Sequence, residues 1–128
     1  MDGVPQLGET MSYVDGFLLA VPRRKLARYR SIARRAGALW RRHGALEYRE
    51  CAGDDLKTTM GRSFTSAAKC KGGEVPVFSW IVFKSKAHRD TVNARVMKDP
   101  VMGRMMKSPM PFDLKRMVYG GFRVIVDA

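Results

Sequence analysis

The stretch that most limits the fold is Val75–Phe83, VPVFSWIVF. Alternate side chains of an extended strand point to opposite faces. Phe78, Trp80 and Val82 then point one way and Val77, Ile81 and Phe83 the other, with Ser79 the polar exception. A strand that is apolar on both sides is covered on both faces. Tyr13–Val21 (YVDGFLLAV) shows the same pattern, Phe17 and Leu19 opposing Val14, Leu18 and Ala20. Met117–Val126 shows it again, with Phe122, Val124 and Val126 opposing Tyr119 and Ile125. Any fold for this chain must shelter both sides of one sheet.

The remaining elements follow from local signals. Pro22 keeps Val21 extended and suits the first turn of a helix. That helix spans Arg23–His43, with Leu26, Tyr29, Ile32, Ala33, Ala36, Leu39 and Trp40 on one face, at spacings of three and four. Its Gly37 invites close packing on the sheet, and Gly44 ends it. Ala45–Cys51 is a second strand, Leu46 and Tyr48 alternating with Glu47 and Arg49. Gly53-Asp54-Asp55 opens a loop, and Phe64–Lys71 makes a short helical turn before Gly72-Gly73. Ser85 caps a helix over Lys86–Lys98, closed by Asp99-Pro100. A methionine-rich helical segment follows over Val101–Met110.

The resulting order, β-α-β-β-α-β, is the ferredoxin-like α+β pattern: a four-stranded antiparallel sheet with both helices on one face. The length of 128 residues suits a single domain over 11–128, preceded by an extension at 1–10 that carries Gly3, Pro5 and Gly8. Two helices cover one sheet face, and no element remains for the other. The economical cover is a second copy about a twofold axis, so a homodimer is expected.

Charge gives a second line of reading. The net charge is +12, and Arg23–His43 holds nine basic residues and no acidic one. Arg24, Arg28, Arg34, Arg35, Arg41 and Arg42 fall opposite the apolar stripe and are the candidate contacts to RNA or DNA phosphates. A solvated outer helix face explains the same pattern. Sequence-specific RNA recognition would also want stacking aromatics on that surface, and Tyr29 and Trp40 lie on the apolar side. No apolar run approaches the ~20 residues of a membrane-spanning helix. The opening MDGVPQLGET lacks the plan of a signal peptide, so a cytoplasmic location is expected. Cys51 and Cys70 match no metal or redox spacing and are expected as thiols.

Catalytic motifs are sparse. His43 and His88 stand apart, with no H-x-x-x-H or H-E-x-x-H, so neither a metal nor a cofactor is expected. Gly72-Gly73 and Gly120-Gly121 read as turns or close backbone approaches. The most informative polar residue is Asp15, a carboxylate inside an apolar strand, which needs a partner or a shifted pKa. Its candidate partners are Lys115 and Arg116, and the pocket expected is one touching Asp15, Trp80, Asp113, Lys115, Arg116 and Tyr119. Met102, Met105 and Met106 would supply flexible lining to a pocket or seam. An ion pair that fixes strand register is the competing reading.

Several segments together resemble one family: YVDGF (Tyr13–Phe17), VFSWIVFKSKAHRD (Val77–Asp90), VNARVMKDP (Val92–Pro100) and MPFDLKRMVYGGF (Met110–Phe122). They occur in the order found in the bacterial DUF1428 family, over Met11 to Ala128. The resemblance implies a ferredoxin-like fold of the dimeric α+β barrel kind and brings no catalytic residue with it. The wider barrel superfamily includes cofactor-independent monooxygenases, a likeness of fold rather than of function. Three readings follow: a small-molecule-binding or enzymatic dimeric barrel, a nucleic-acid-binding protein using the basic helix, and a structural or interaction module.

Overall fold

Residues 12–128 are described by the computed structural model, and the extension expected at 1–10 lies outside the described residues. The sheet is built from β1 (Tyr13–Pro22), β2 (Glu47–Ala52), β3 (Glu74–Phe83) and β4 (Val118–Arg123). Their order is β2-β3-β1-β4, with every neighbouring pair antiparallel. Helix α1 (Leu26–Arg42) joins β1 to β2, and the single turn α2 (Phe64–Ala67) lies between β2 and β3. Helices α3 (Lys86–Lys98) and α4 (Pro100–Met106) join β3 to β4. This is the ferredoxin-like α+β fold.

The differences from the expected elements have local causes. Arg23–Lys25 forms a tight 3-10 turn rather than α-helix, as the first turn of a helix often does. Strand β4 ends at Arg123 because that residue pairs with Tyr13, the first residue of β1, leaving no partner strand beyond. Val124 makes one more bond, its N–H donating to the Ser12 carbonyl at 2.9 Å. Helix α4 stops at Met106, short of Met110, because Pro109 cannot donate to a helical ladder and disfavours helix in the residue before it. Helix α2 is shorter than Phe64–Lys71 because Lys69 adopts a left-handed backbone, φ 54°. Asp99 serves two helices. It ends α3, and its side chain accepts the Val101 N–H at 2.8 Å to cap α4, with Pro100 in the first turn.

The core lies between the helices and one sheet face. Tyr13, Leu19 and Val21 of β1 and Val75, Val77, Ile81 and Phe83 of β3 are buried there. They meet Tyr29, Ala33 and Leu39 of α1, Val92 and Val96 of α3, and Met102 of α4. Burying a side chain of this size contributes roughly 1.5–3 kcal/mol.

The opposite face carries Val14, Leu18, Phe78, Trp80, Val82, Val118 and Phe122, as the strand registers require. Among the described residues, no long helix covers it. Phe64 of α2 packs on Phe78, with ring centroids 5.6 Å apart. Phe78, Val118 and Phe122 remain exposed. Among the described residues, no helix is long and apolar enough to cross a membrane.

Candidate functional site

A cavity of about 430 Å³ lies between α1, the sheet, α4 and the segment leading to β4. Phe17 and Leu19 of β1, Ile81 of β3, Ile32, Ala33, Ala36 and Trp40 of α1, and Phe112 form much of its wall. Met97, Met102, Met105, Met106, Met110 and Met117 also line it, six of the nine methionines in the chain. Methionine fills irregular space and re-packs at low cost, which suits a binding cavity. The three methionines singled out in the sequence are therefore part of a larger set gathered from α3, α4 and the segment before β4.

One corner of this cavity is polar. Tyr29 of α1 and Tyr48 of β2 each donate a hydroxyl hydrogen to Glu50 of β2, to Oε1 and Oε2 respectively, both at 2.7 Å. Ser79 of β3 stands directly opposite Glu50 in the strand register and also lines the cavity. Burial, and next the Glu50 charge, push the Tyr29 and Tyr48 hydroxyls well above their ordinary range. Both remain protonated donors across the physiological range.

The local sequence explains this arrangement. Parity along β2 puts Tyr48 and Glu50 on one side, opposite Ile81 and Ser79 of the helix-facing side of β3. Gly37 lets α1 approach closely enough for its backbone to lie on the Tyr48 ring. A β-carbon at Gly37 would sit 2.7 Å from Tyr48 Cδ1. Tyr29 lies two helical turns earlier on the same face. From sequence, Tyr29 reads as one more member of the apolar stripe and Glu50 attracts no notice. The signal available was parity, because an acidic residue two places after Tyr48 faces the helices.

The same three residues also border a groove of about 540 Å³ on the other side. Exposed Arg30, Arg34 and Arg41 line that groove with Leu26 and Val77. The Tyr29–Glu50–Tyr48 cluster is thus a polar wall between a methionine-rich cavity and an arginine-lined groove.

The six pocket residues expected from sequence do not converge. Asp15 is 2 % exposed and faces the helices, but its partner is Arg89 of α3 rather than Lys115 or Arg116. Arg89 Nε lies 3.6 Å from Asp15 Oδ1, beyond hydrogen-bonding range, and 3.5 Å from Asp90 Oδ1, and neither Arg89 Nε nor Asp15 Oδ1 has a hydrogen-bond partner among the described residues. Arg89 also donates to the Tyr13 hydroxyl at 3.1 Å and lies over its ring. Burial raises the Asp15 pKa, and Arg89 and Asn93 oppose the rise. Asn93 in turn accepts a hydrogen bond from Trp40 Nε1 at 3.0 Å. The reason for the different partner is topological: α3 passes over β1, and a helical stripe of Arg89, Val92, Asn93 and Val96 faces the strand.

Arg116 binds elsewhere. It holds Glu74 through two bonds of 2.7 and 2.8 Å and Asp113 at 3.2 Å. The Arg116 bonds bring the Glu74 pKa down to about 2. Asp113 caps the short turn Leu114–Arg116 by accepting the Lys115 N–H, and Lys115 itself is exposed. Although Trp80 borders the cavity, its indole lies on the opposite sheet face, donating to Glu47 at 2.6 Å and contacting Phe78. Tyr119 reaches the cavity wall only through Phe17, on which it stacks with centroids 5.2 Å apart.

The basic helix face is partly engaged within the protein. Arg28 donates to the Pro109 carbonyl, Arg41 to the Ala45 and Leu46 carbonyls, and Arg42 pairs with Asp99 at 3.5 Å. Among the described residues, Arg24, Arg34 and Arg35 make no hydrogen bond or ion pair. His43 bonds Asp99 at 2.7 Å. His88 Nδ1 accepts the Lys84 N–H, and its ring meets Phe83 edge-on. Neither histidine faces the cavity, and among the described residues no cluster of three metal-ligating side chains occurs.

The fold and site can now be set beside known proteins. A dimeric ferredoxin-like protein from an uncultured marine organism superposes with a TM-score of 0.57 at 10% identity, covering 92% of this chain and 99% of that one. The chain is thus a ferredoxin-like α+β protein. Residues 12–114 match the family model described as "Protein of unknown function (DUF1428)". The chain is 45% identical over 117 residues to the uncharacterized protein YbaA of Escherichia coli (strain K12), covering 91% of this chain and 99% of the relative. The YbaA of Shigella flexneri is similar to the same extent. The chain belongs to the DUF1428 family.

Proposed function

We propose that this protein works as a homodimer that binds a small, largely apolar molecule between its helices and its sheet. The observation that carries the reading is the pairing of an apolar, methionine-lined cavity with one polar corner at Tyr29, Glu50 and Tyr48. Small-molecule sites commonly combine a mostly apolar wall with a few convergent polar groups that fix orientation.

The dimer is supported by the uncovered sheet face. Phe78, Trp80, Val118 and Phe122 form an apolar surface too continuous for an isolated chain, and the fold neighbour is described as dimeric. Sheet-to-sheet association would leave both helix layers outside and the two cavities independent. A nucleic-acid role draws less support, because Arg28, Arg41 and Arg42 already hold groups of their own chain.

Two measurements test the reading. Calorimetric titration with methoxynaphthalene should show saturable binding that is lost when Met105→Trp fills the cavity. Sedimentation velocity at micromolar concentration should show a dimer, converted to monomer by Phe122→Glu. Unaltered binding by the filled variant would remove the cavity from the account, and a monomeric parent protein would remove the dimer.

A further inference from the structure

We infer that the molecule held in the cavity is neutral and carries a hydroxyl group that donates a hydrogen bond to Glu50. The inference rests on the cavity being a ligand site. It adds the chemical class of the ligand and the residue that selects it.

Donors are already spent at the polar corner. A tyrosine hydroxyl has one hydrogen, and both Tyr29 and Tyr48 direct theirs to Glu50. What remains toward the cavity is lone pairs: those left on the Glu50 carboxylate and those on the two phenol oxygens. The Ser79 hydroxyl is able to turn either way. Trp40 Nε1, a further polar hydrogen in the aromatic wall, is held by Asn93. Trp80 Nε1 is held by Glu47 on the opposite sheet face, and the rest of the lining, Phe17, Leu19, Ile32, Ile81 and methionine among it, offers no donor. Ser79 apart, the corner accepts and does not donate, so a ligand that meets Glu50 must bring the hydrogen.

Charge narrows the class further. An anionic ligand would meet the Glu50 carboxylate at a largely apolar site, where like charges repel more strongly than in water. A cationic ligand would be drawn to Glu50 but would have to shed its hydration to enter a largely apolar site, with Arg30, Arg34 and Arg41 on the far side of the same wall weakening that attraction. A neutral hydroxyl compound meets neither penalty and forms a charge-assisted hydrogen bond, stronger than a neutral one. A fused aromatic body would suit the remaining wall, since methionine sulfur contacts aromatic rings favourably.

The test uses four compounds with one body: naphthol, methoxynaphthalene, naphthoic acid and naphthylmethylamine, each titrated calorimetrically into the full chain at pH 7. Naphthol should bind about tenfold or more tightly than methoxynaphthalene, the worth of a hydrogen bond to a charged acceptor. Glu50→Gln should shrink that ratio. Because the ratio is measured within one protein, a variant that is partly unfolded still reports it. If methoxynaphthalene binds as tightly as naphthol, the hydroxyl inference is overturned while the cavity reading stands. If naphthoic acid or the amine binds most tightly, the inference is overturned by a charged ligand class. If none of the four binds, both readings fall.

Discussion

Gly37 of α1 rests against the ring of Tyr48 on β2 so closely that a β-carbon there would lie 2.7 Å from Cδ1 and 3.0 Å from Cε1. Two tendencies therefore compete at this position. Alanine would favour the helix by roughly 1 kcal/mol over glycine. Overpacking a fitted contact costs about 1–3 kcal/mol. Packing should win because the obstacle is a ring held at its hydroxyl by Glu50. Gly37→Ala is predicted to lower stability in chemical denaturation. On a Tyr48→Ala background, where the obstacle is gone, the same change should raise stability. Equal effects on both backgrounds would show that the contact does not matter.

Asp15 and Arg89 give a prediction with a pH signature. Removing one member of a buried pair typically costs about 3–5 kcal/mol, because the other charge is left buried alone. Arg89→Met should have this effect at neutral pH. Burial already raises the Asp15 pKa above its ordinary value, and the variant removes the guanidinium that opposes the rise. A carboxyl with a raised folded-state pKa favours folding at low pH and loses that contribution as pH rises through the folded value. The stability gap between parent and variant should therefore narrow as pH is lowered from neutrality toward the ordinary carboxyl value of 3.8. Adding Asp15→Asn to Arg89→Met should recover much of the loss. A gap independent of pH would contradict the assignment.

Arg116 and Glu74 should show the opposite sign. The Glu74 pKa is held down at about 2, against an ordinary 4.5. Its contribution to stability is present above the ordinary value and is lost as pH falls through the folded one. Thermal unfolding of the parent should thus weaken between about pH 4.5 and about pH 2, and Arg116→Gln should flatten that part of the profile. The same variant should loosen the segment leading to β4, since Arg116 also holds the Lys69 carbonyl and Asp113. Proteolysis near Lys115 reports that loosening.

The two-sided strands were legible because alternation needs no knowledge of neighbours. Phe78, Trp80 and Val82 are placed on one face by counting alone, and the register agrees. The helix over Lys86–Lys98 was equally plain, since Ser85 and Pro100 mark its ends. The polar corner was not legible. Tyr29 and Glu50 meet only because α1 descends onto β2 at Gly37, a tertiary fact with no local trace beyond the glycine. The partner of Asp15 was missed for a related reason. Sequence proximity to the last strand favoured Lys115 and Arg116, whereas the crossing of α3 over β1 delivers Arg89. Conversely, the conspicuous arginines of α1 include three engaged with their own chain, which composition does not reveal.

The central claim is that the methionine-lined cavity receives a small apolar molecule. The most direct measurement is the methyl spectrum of the protein labelled at methionine with carbon-13, titrated with methoxynaphthalene. The resonances of Met102, Met105, Met110 and Met117 should shift together and saturate, while that of Met60, which is 81 % exposed and away from the cavity, should not move. If Met102, Met105, Met110 and Met117 stay fixed at saturating compound, or Met60 shifts with them, the cavity is not the binding site.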